Sequence, residues 1–267
     1  MDILCEIQKN YNNFSDKEKD IADYIINQNE SINNISINNL AERIGTSSST
    51  ITRFSRKIGC ESFVELKIKL SNVQSNFKDE NEDSILTDVY DYYSEAVERN
   101  KYLIKKEDID KVVKKIKTAK RIHIYGVGSS GLSAIEMMQR LLRMGFNVNS
   151  ITDSHMMIID STIVKKDDLV IGISIGGETA AVNKALEISK ENGASVISIT
   201  SFEGSTITSF GDIILLVYNS AFVDVERFIN TQFSIMYLLD LICISLLRYG
   251  ELRNKMRKTV DAIRGHQ

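Results

Sequence analysis

Proline is missing from all 267 residues, an absence without mechanistic meaning that accompanies a bias toward Asn, Ile and Lys. Cysteine is scarce. Cys5, Cys60 and Cys243 lie far apart, without the short spacing of metal ligands, and an odd number cannot form a fully paired disulfide framework. All three are expected to be reduced, core-filling residues. Only three histidines occur (His123, His155, His266), so with no cysteine cluster a dedicated transition-metal site is not expected, and neither is a cofactor. No run of about 18 apolar residues is present. The opening Met1-Asp2-Ile3-Leu4-Cys5 lacks the basic-then-apolar order of a secretory signal. The expectation is a soluble, cytoplasmic protein with no membrane partner. The net charge of −3 offers no general attraction to nucleic acid, so DNA binding would have to rest on a local cluster of bases.

Such a cluster exists. Between Arg43 and Lys69 there are six bases (Arg43, Arg53, Arg56, Lys57, Lys67, Lys69) against two acids, Glu61 and Glu65. With 43% hydrophobic and 26% charged residues, the chain is long enough for two domains with sizeable cores. Its first seventy residues carry helix punctuation. Ser15-Asp16-Lys17-Glu18 and Ser62-Phe63-Val64-Glu65 read as capping boxes. Ile21, Ala22, Ile25 and Ile26 recur at helical spacing. A helix opens at Ser36 and stops at Gly45; another opens at Ser47 and stops at Gly59. The polar, acidic stretch Asn72 to Ser84 reads as a linker. Helices are expected over Ile85 to Ile104 and Asp108 to Lys117.

From Arg121 the rhythm changes. Short apolar runs (Ile122 to Tyr125, Leu169 to Ile173, Ser195 to Ile199, Ile213 to Val217) alternate with helical stretches such as Ser130 to Met144 and Ala180 to Glu191, the pattern of a parallel sheet covered on both faces. Phe228 to Tyr249 is apolar enough for a buried or an interface helix, and a charged helix follows from Glu251 to Arg264. The expected fold is an all-α helix-turn-helix N-terminal domain plus an α/β C-terminal domain with a parallel sheet of about five strands flanked by helices. The expected division is residues 1–77, a linker and connecting helix over 78–106, the α/β domain over 107–250 and a tail helix over 251–267.

In Leu40-Ala41-Glu42-Arg43-Ile44-Gly45-Thr46-Ser47 a helix ends at a glycine and a new one starts after a short turn, the layout of a helix-turn-helix. Ser47, Ser48, Ser49, Thr50, Thr52, Arg53, Arg56 and Lys57 are the expected DNA contacts, because short hydroxyls allow close entry to the major groove while Arg53 or Arg56 reaches a base edge or a phosphate. An ordinary helical hairpin with a solvated face would show the same motif. The stretch Ile37 to Leu70, with Leu-Ala-Glu-Arg-Ile-Gly, Ser-Ser-Ser-Thr-Ile-Thr-Arg-Phe, Arg-Lys-Ile-Gly-Cys and Ser-Phe-Val-Glu-Leu-Lys, resembles the N-terminal domain of the RpiR/MurR family of sugar-responsive regulators. Ser48 departs from it, standing where the family often has a larger polar residue.

The first strand runs into Tyr125-Gly126-Val127-Gly128-Ser129-Ser130-Gly131 and then a helix. A glycine-rich turn at a helix N-terminus offers free amides and the positive dipole end to an anion. The GxGxxG also fits a dinucleotide site, which ranks low here. No acid closes the next strand in the ribose position, Asp153 being the nearest, and a second hydroxyl-rich loop, Ser174-Ile175-Gly176-Gly177-Glu178-Thr179, follows another strand. Two such loops at carboxyl ends of parallel strands converge on one crevice suited to a phosphate ester. Together they resemble the sugar isomerase (SIS) domain over roughly Ile109 to Leu247. The resemblance implies that Ser130, Ser174 and Thr179 donate hydroxyls to a sugar phosphate and that the amides of Ile175 and Gly176 complete the cradle, with Gly128, Ser129 and Gly177 shaping it. Gly176 stands where the family usually has its second Ser, which removes one hydrogen bond.

An isomerase needs an acid or base to move a proton between carbons. His155, Glu178 and Glu226 are the candidates: His155 as a loop residue, Glu178 as the cap of the following helix, Glu226 balanced by Arg227. No catalytic set emerges. The expected function is a regulator whose operator binding is controlled by a phosphorylated sugar, with operator DNA and that sugar as partners and a homodimer or homotetramer as the assembly. The alternatives are an aldose/ketose isomerase of sugar phosphates and an oligomeric scaffold with a dead pocket.

Overall fold

The computed structural model of the chain describes residues 2–27, 32, 35–73, 84–219 and 230–265. They divide into two compact units, Met1–Leu103 with Tyr218–Thr231, and Ile104–Val217 with Gln232–Gln267.

The first unit is helical: α1 (Ile3–Asn10), α2 (Asp16–Asn27), α3 (Ile37–Ile44), α4 (Ser48–Lys57), α5 (Phe63–Val73) and α6 (Ser84–Leu103). Its helices begin where side chains can take up free amides. The Asp2 carboxylate accepts from Leu4 and Cys5 at the start of α1, a helix that the sequence reading did not include. Ser36 accepts from the Asn39 amide and Ser47 from that of Thr50. Glu18 reaches back to the Ser15 amide at 2.9 Å, the reciprocal half of a capping box. At the second box Ser62 accepts from Glu65, but the Glu65 carboxylate reaches past it to the Glu61 amide. Ile21, Ile25, Leu40, Ile51, Phe54 and Leu66 are fully buried in one cluster. Each stabilises by roughly 1.5–3 kcal/mol.

The second unit is α/β. Strands β1 (Ile122–Gly126), β2 (Val148–Ile151), β3 (Leu169–Ile173), β4 (Ser195–Thr200) and β5 (Ile213–Leu216) are all parallel, in the order β2-β1-β3-β4-β5. They are joined or followed by α7 (Lys106–Thr118), α8 (Ser129–Arg143), α9 (Ser154–Ile163), α10 (Ala180–Glu191), α11 (Phe233–Leu246) and α12 (Gly250–Arg264). Alternate strand residues serve opposite layers, which is why both faces demand apolar side chains. Ile122, Ile124, Leu169, Ile171 and Ile197 pack with residues of α7, α8 and α11; Val170 and Val196 pack with Met157 of α9 and with Val182 and Leu186 of α10. On that second face His123 and Tyr125 both bond Asp160, at 2.6 and 2.8 Å. Burial works against the Asp160 charge, but these two bonds hold its carboxyl below the ordinary range.

The chain leaves β1 for β2 on one side and returns to β3 on the other. The carboxyl ends of β1 and β3, where Gly126 pairs with Ile173, therefore mark the switch point at which such sheets open a crevice.

Several expectations change. His155, expected in a loop, lies in the first turn of α9, whose cap is Asp153. The apolar segment Phe228 to Tyr249 had two readings, and the described part, α11, is a core helix: Ile235, Leu238, Leu239, Ile242 and Leu246 are buried within its own unit. Most of the expected linker (residues 74–83), and Glu226, Arg227, Phe228 and His266, lie outside the described residues. Among the described residues no single helix is long and apolar enough to cross a membrane.

Candidate functional site

The helix-turn-helix is built by three local hydrogen-bonding events. Helix α3 ends on Gly45, in the left-handed conformation with φ 68°, whose amide reaches back to the Ala41 and Glu42 carbonyls. Thr46 donates to the Ala41 carbonyl at 2.9 Å. Ser47 then caps α4, with its hydroxyl also against those of Ser49 and Thr50 at 2.7 and 2.9 Å. Ile51 and Phe54 turn inward, so Ser49, Arg53 and Arg56, spaced four and three apart, share the exposed side. Ser48 and Thr52 are half-buried: Ser48 donates to the Asn38 side chain at 2.8 Å and Thr52 to the Ser48 carbonyl at 3.0 Å.

The basic cluster splits into two groups. Lys57 binds Glu18 at 2.8 Å and the Asn13 carbonyl at 2.9 Å, and lies 5.2 Å from the Phe14 ring centroid. Burial opposes the Glu18 charge, yet Lys57 and Ser15 hold its carboxyl below the usual value. Lys69 pairs with Glu65, Lys67 donates to the Ile35 carbonyl and Arg43 to the Tyr24 hydroxyl. Arg53 and Arg56 are exposed and make no hydrogen bond or ion pair among the described residues. Their guanidinium groups remain available to an anion or a base edge.

The crevice loops are built from the other kind of group, the main chain. Gly126 brings the first turn of α8 onto the strand end: a Cβ there would stand 2.6 Å from the Ser130 carbonyl oxygen. Neither α8 nor α10 has a side-chain cap at its start. The amides of Ser129 and Ser130 on the first loop, and of Ile175 and Gly176 on the second, make no hydrogen bond among the described residues. The Ser174 and Thr179 hydroxyls meet at 2.8 Å, so two of the three expected phosphate hydroxyls are brought together. The loop is held from behind. The Gly177 carbonyl accepts from the Asn183 side chain and the Ile207 amide, and the Ile175 carbonyl from Thr200 and Ser201. Gly177 adopts φ 75° with its Cα against Ser205, where no side chain fits. Gly176 differs from it, since a Cβ there would meet nothing within 4 Å.

Glu178 was expected to cap the following helix. It binds Thr206 instead, accepting from its amide at 2.9 Å and from its hydroxyl, and so ties the loop to the one-turn helix Thr206–Ser209. The signal that sequence reasoning passed over is the hydroxyl-rich run Thr200 to Thr206 after β4. One oxygen of Asp153 accepts from the His155 and Met156 amides, so the nearest ribose candidate serves as the cap of α9. Ser133 bonds the Gln232 side chain at 2.9 Å, fixing the second turn of α8. Cys5, Cys60 and Cys243 are all buried and free, and burial pushes the Cys243 thiol up to about 11. Among the described residues no group of three or more His, Cys, Asp or Glu could hold a metal ion.

Residues 1–76 match the helix-turn-helix domain of the rpiR family, and residues 115–243 match the SIS domain. An uncharacterized HTH-type transcriptional regulator of Haemophilus influenzae is 30% identical over 263 residues, covering 93% of this chain and 91% of the relative. The chain belongs to the rpiR family of helix-turn-helix transcriptional regulators. A second such regulator, from Clostridium perfringens, is 28% identical over 276 residues and covers 98% of this chain and 99% of its own. Two solved structures share the fold. The Vibrio vulnificus NanR protein complexed with ManNAc-6P has a TM-score of 0.63 at 22% identity and covers 99% of both chains. The sugar isomerase domain of an RpiR transcription factor from Sphaerobacter thermophilus has a TM-score of 0.61 at 18% identity, over 67% of this chain and 99% of its own. As an rpiR-family regulator the protein binds DNA, and it joins that head to a SIS domain.

Proposed function

We propose that this rpiR-family regulator releases or grips its operator according to whether a phosphorylated sugar fills the crevice at the carboxyl ends of β1 and β3. One observation carries the reading: the loops that follow the paired strands β1 and β3 carry four amides, from Ser129, Ser130, Ile175 and Gly176, with no hydrogen bond among the described residues, and the second loop also carries the paired Ser174 and Thr179 hydroxyls. Unpaired donors at helix N-termini are suited to an anion with several acceptor oxygens, and a phosphate ester supplies them. Gly128, Gly177 and the Ser130 hydroxyl complete the proposed site. ManNAc-6P on the Vibrio vulnificus NanR puts amino-sugar phosphates among the first to test. On the DNA side, Ser49, Arg53 and Arg56 enter the groove, with Ser47, Ser48, Thr50 and Thr52 setting the approach and Lys57 bracing the helix against α2. Two copies bind together, since one recognition helix spans too few base pairs to be specific.

The DNA-binding head in front of the SIS domain supports sensing as the use of this pocket, and Glu178 supports it by tying the loop to Thr206. The test is a thermal-shift series on the full chain with ManNAc-6P, glucosamine 6-phosphate and fructose 6-phosphate, each beside its unphosphorylated sugar. A ligand at a hundred times its Kd adds about 2.7 kcal/mol of stability. One phosphorylated sugar is expected to raise the melting temperature, and Ser174→Ala with Thr179→Ala to lose that rise while sugar-free DNA retardation stays steeply salt-dependent. Equal shifts from phosphorylated and plain sugars, or aldose–ketose turnover seen by NMR, would overturn the reading.

A further inference from the structure

A chain of hydrogen bonds leads away from the back of the second crevice loop. The Ile175 carbonyl accepts from the Thr200 hydroxyl at 3.1 Å and from the Ser201 amide at 3.0 Å. The Thr200 carbonyl accepts from the Val217 amide at 3.0 Å. Val217 is the last residue of the sheet unit before the chain passes into the helical unit, and Tyr218 is the first on the other side. The Tyr218 amide donates to the Asn100 side chain at 3.0 Å, and the Asn219 amide to Gln8 at 2.9 Å. Arg99 donates to the Tyr218 hydroxyl, lies 3.1 Å from the Asp2 carboxylate and pairs with Glu95 at 2.5 Å. Asp2 is the cap of α1, and α1 places Ile3, Leu4 and Ile7 in the same core as Ile51 and Phe54 of the recognition helix.

Arg99 is an expensive residue to bury. Only 2% of its side chain is exposed. Burial works against its charge, and Tyr218, Glu95 and Asp2 more than offset that, raising its pKa. Well-packed apolar side chains often hold such a position at least as stably as a buried ion group, so the polarity calls for a use beyond stability. Glu95 is on α6 and Asp2 caps α1, whereas Tyr218 directly follows Val217, which is bonded to β4. Without Tyr218 Arg99 keeps both carboxylates, which gives the cluster two arrangements that differ in one hydrogen bond.

We propose that the Arg99–Tyr218 cluster is the element through which the state of the Ser174–Thr179 loop sets the DNA affinity of the helix-turn-helix. This deepens the phosphosugar reading and rests on it for the identity of the ligand. Movement of Thr200 and Ser201 with the loop shifts Val217 and Tyr218; the phenol holds or releases Arg99; and Asp2, the cap of α1, feels the change. By linkage, DNA and ligand then alter each other's affinity by one common factor.

Tyr218→Phe removes the hydroxyl and keeps the ring. Measured on the full chain, its DNA Kd without ligand and its Kd for the panel sugar phosphate giving the largest thermal shift should both stay within about twofold of wild type. The change in DNA affinity caused by that sugar phosphate, about tenfold or more in wild type, should shrink to less than twofold. A second arm needs no ligand. Thr200→Val loosens the loop from the sheet, and hydrogen exchange at the Leu4 and Cys5 amides should then speed up about fivefold or more, but not when Tyr218→Phe is also present. If no sugar phosphate stabilises the protein, the ligand assignment fails and this second arm still decides the coupling. An unchanged ligand response in Tyr218→Phe, or exchange at Leu4 and Cys5 indifferent to Thr200→Val, would sink the proposal. Should Tyr218→Phe fail to fold, Glu95→Gln weakens the same cluster and is read in the same two ways.

Discussion

The recognition helix and the crevice loops present their chemistry in opposite ways. On α4 the groups offered to a partner are side chains that the fold does not use: Arg53 and Arg56 lie outside every internal hydrogen bond and ion pair described, whereas Lys57, Lys67, Lys69 and Arg43 are engaged within it. In the crevice the offered groups are main-chain amides and loop hydroxyls, and the glycines of the same loops hold the sheet and helices together. Gly126 is both part of the loop and the contact point between β1 and α8. Function can therefore be removed from the helix without touching stability, whereas at Gly126 and Gly177 the two fall together.

The largest expected effect tests the second half of that contrast. Gly126→Ala drives a Cβ against backbone, not against a yielding side-chain tip, and should cost about 2–3 kcal/mol. A fall in the urea midpoint of the full chain together with loss of ligand stabilisation is the expected result. Unchanged stability would mean that the loop is not fused to the core. The next effect tests the first half. Arg53→Ala and Arg56→Ala should each weaken operator binding by about 1–3 kcal/mol if a guanine is contacted, or reduce the salt slope by about one if a phosphate is. Both should leave the melting temperature where it was, as calorimetry would show.

A smaller effect separates Lys57 from its arginine neighbours. The Glu18 carboxyl is depressed in the folded protein, so the stability it contributes is fully present above its ordinary value of 4.5 and is lost as the pH falls through the lower folded value. Glu18→Gln should flatten that part of the stability profile by under about 1 kcal/mol. An unaltered profile would show that Lys57 is free for DNA like Arg53. The smallest effect concerns a glycine of the crevice at which function and fold come apart. Gly176 has open space around it and no positive φ, so Gly176→Ser should add a hydroxyl at no cost in stability and tighten phosphate binding by ~1 kcal/mol. A titration of the ligand checks it, and weaker binding would mean that the open space belongs to the ligand.

Much of this was legible in the residues. Capping serines, helix-stopping glycines and apolar spacing located α2 to α5, because each depends on contacts within one or two turns. Strands β1, β3, β4 and β5 showed as apolar runs because a parallel sheet buries both faces. The strand before Asp153, with only Ile151 buried, was placed less sharply, and α9 after it was missed for want of a clear apolar period. Glu178 looked like a local cap, and in sequence terms nothing favours Thr206, twenty-eight residues away, over the adjacent helix start.

By itself the sequence determined what is governed by local order: where helices start and stop, which faces are apolar, which loops are rich in glycine and hydroxyls, and the family those motifs resemble. Tertiary structure decided which of several equivalent groups is spent inside the molecule and which remains for a partner. Six bases look alike along the chain, yet only the fold sets Lys57 beside Glu18 and leaves Arg53 with solvent. Three glycines read as one motif, yet only the approach of α8 makes Gly126 a packing residue. Arg99, Asp2 and Tyr218 share no local pattern at all. The physical reason is the same in each case: a charge or an amide is committed by whatever lies within hydrogen-bond reach, and folding brings residues there from distances along the chain that no local rule spans.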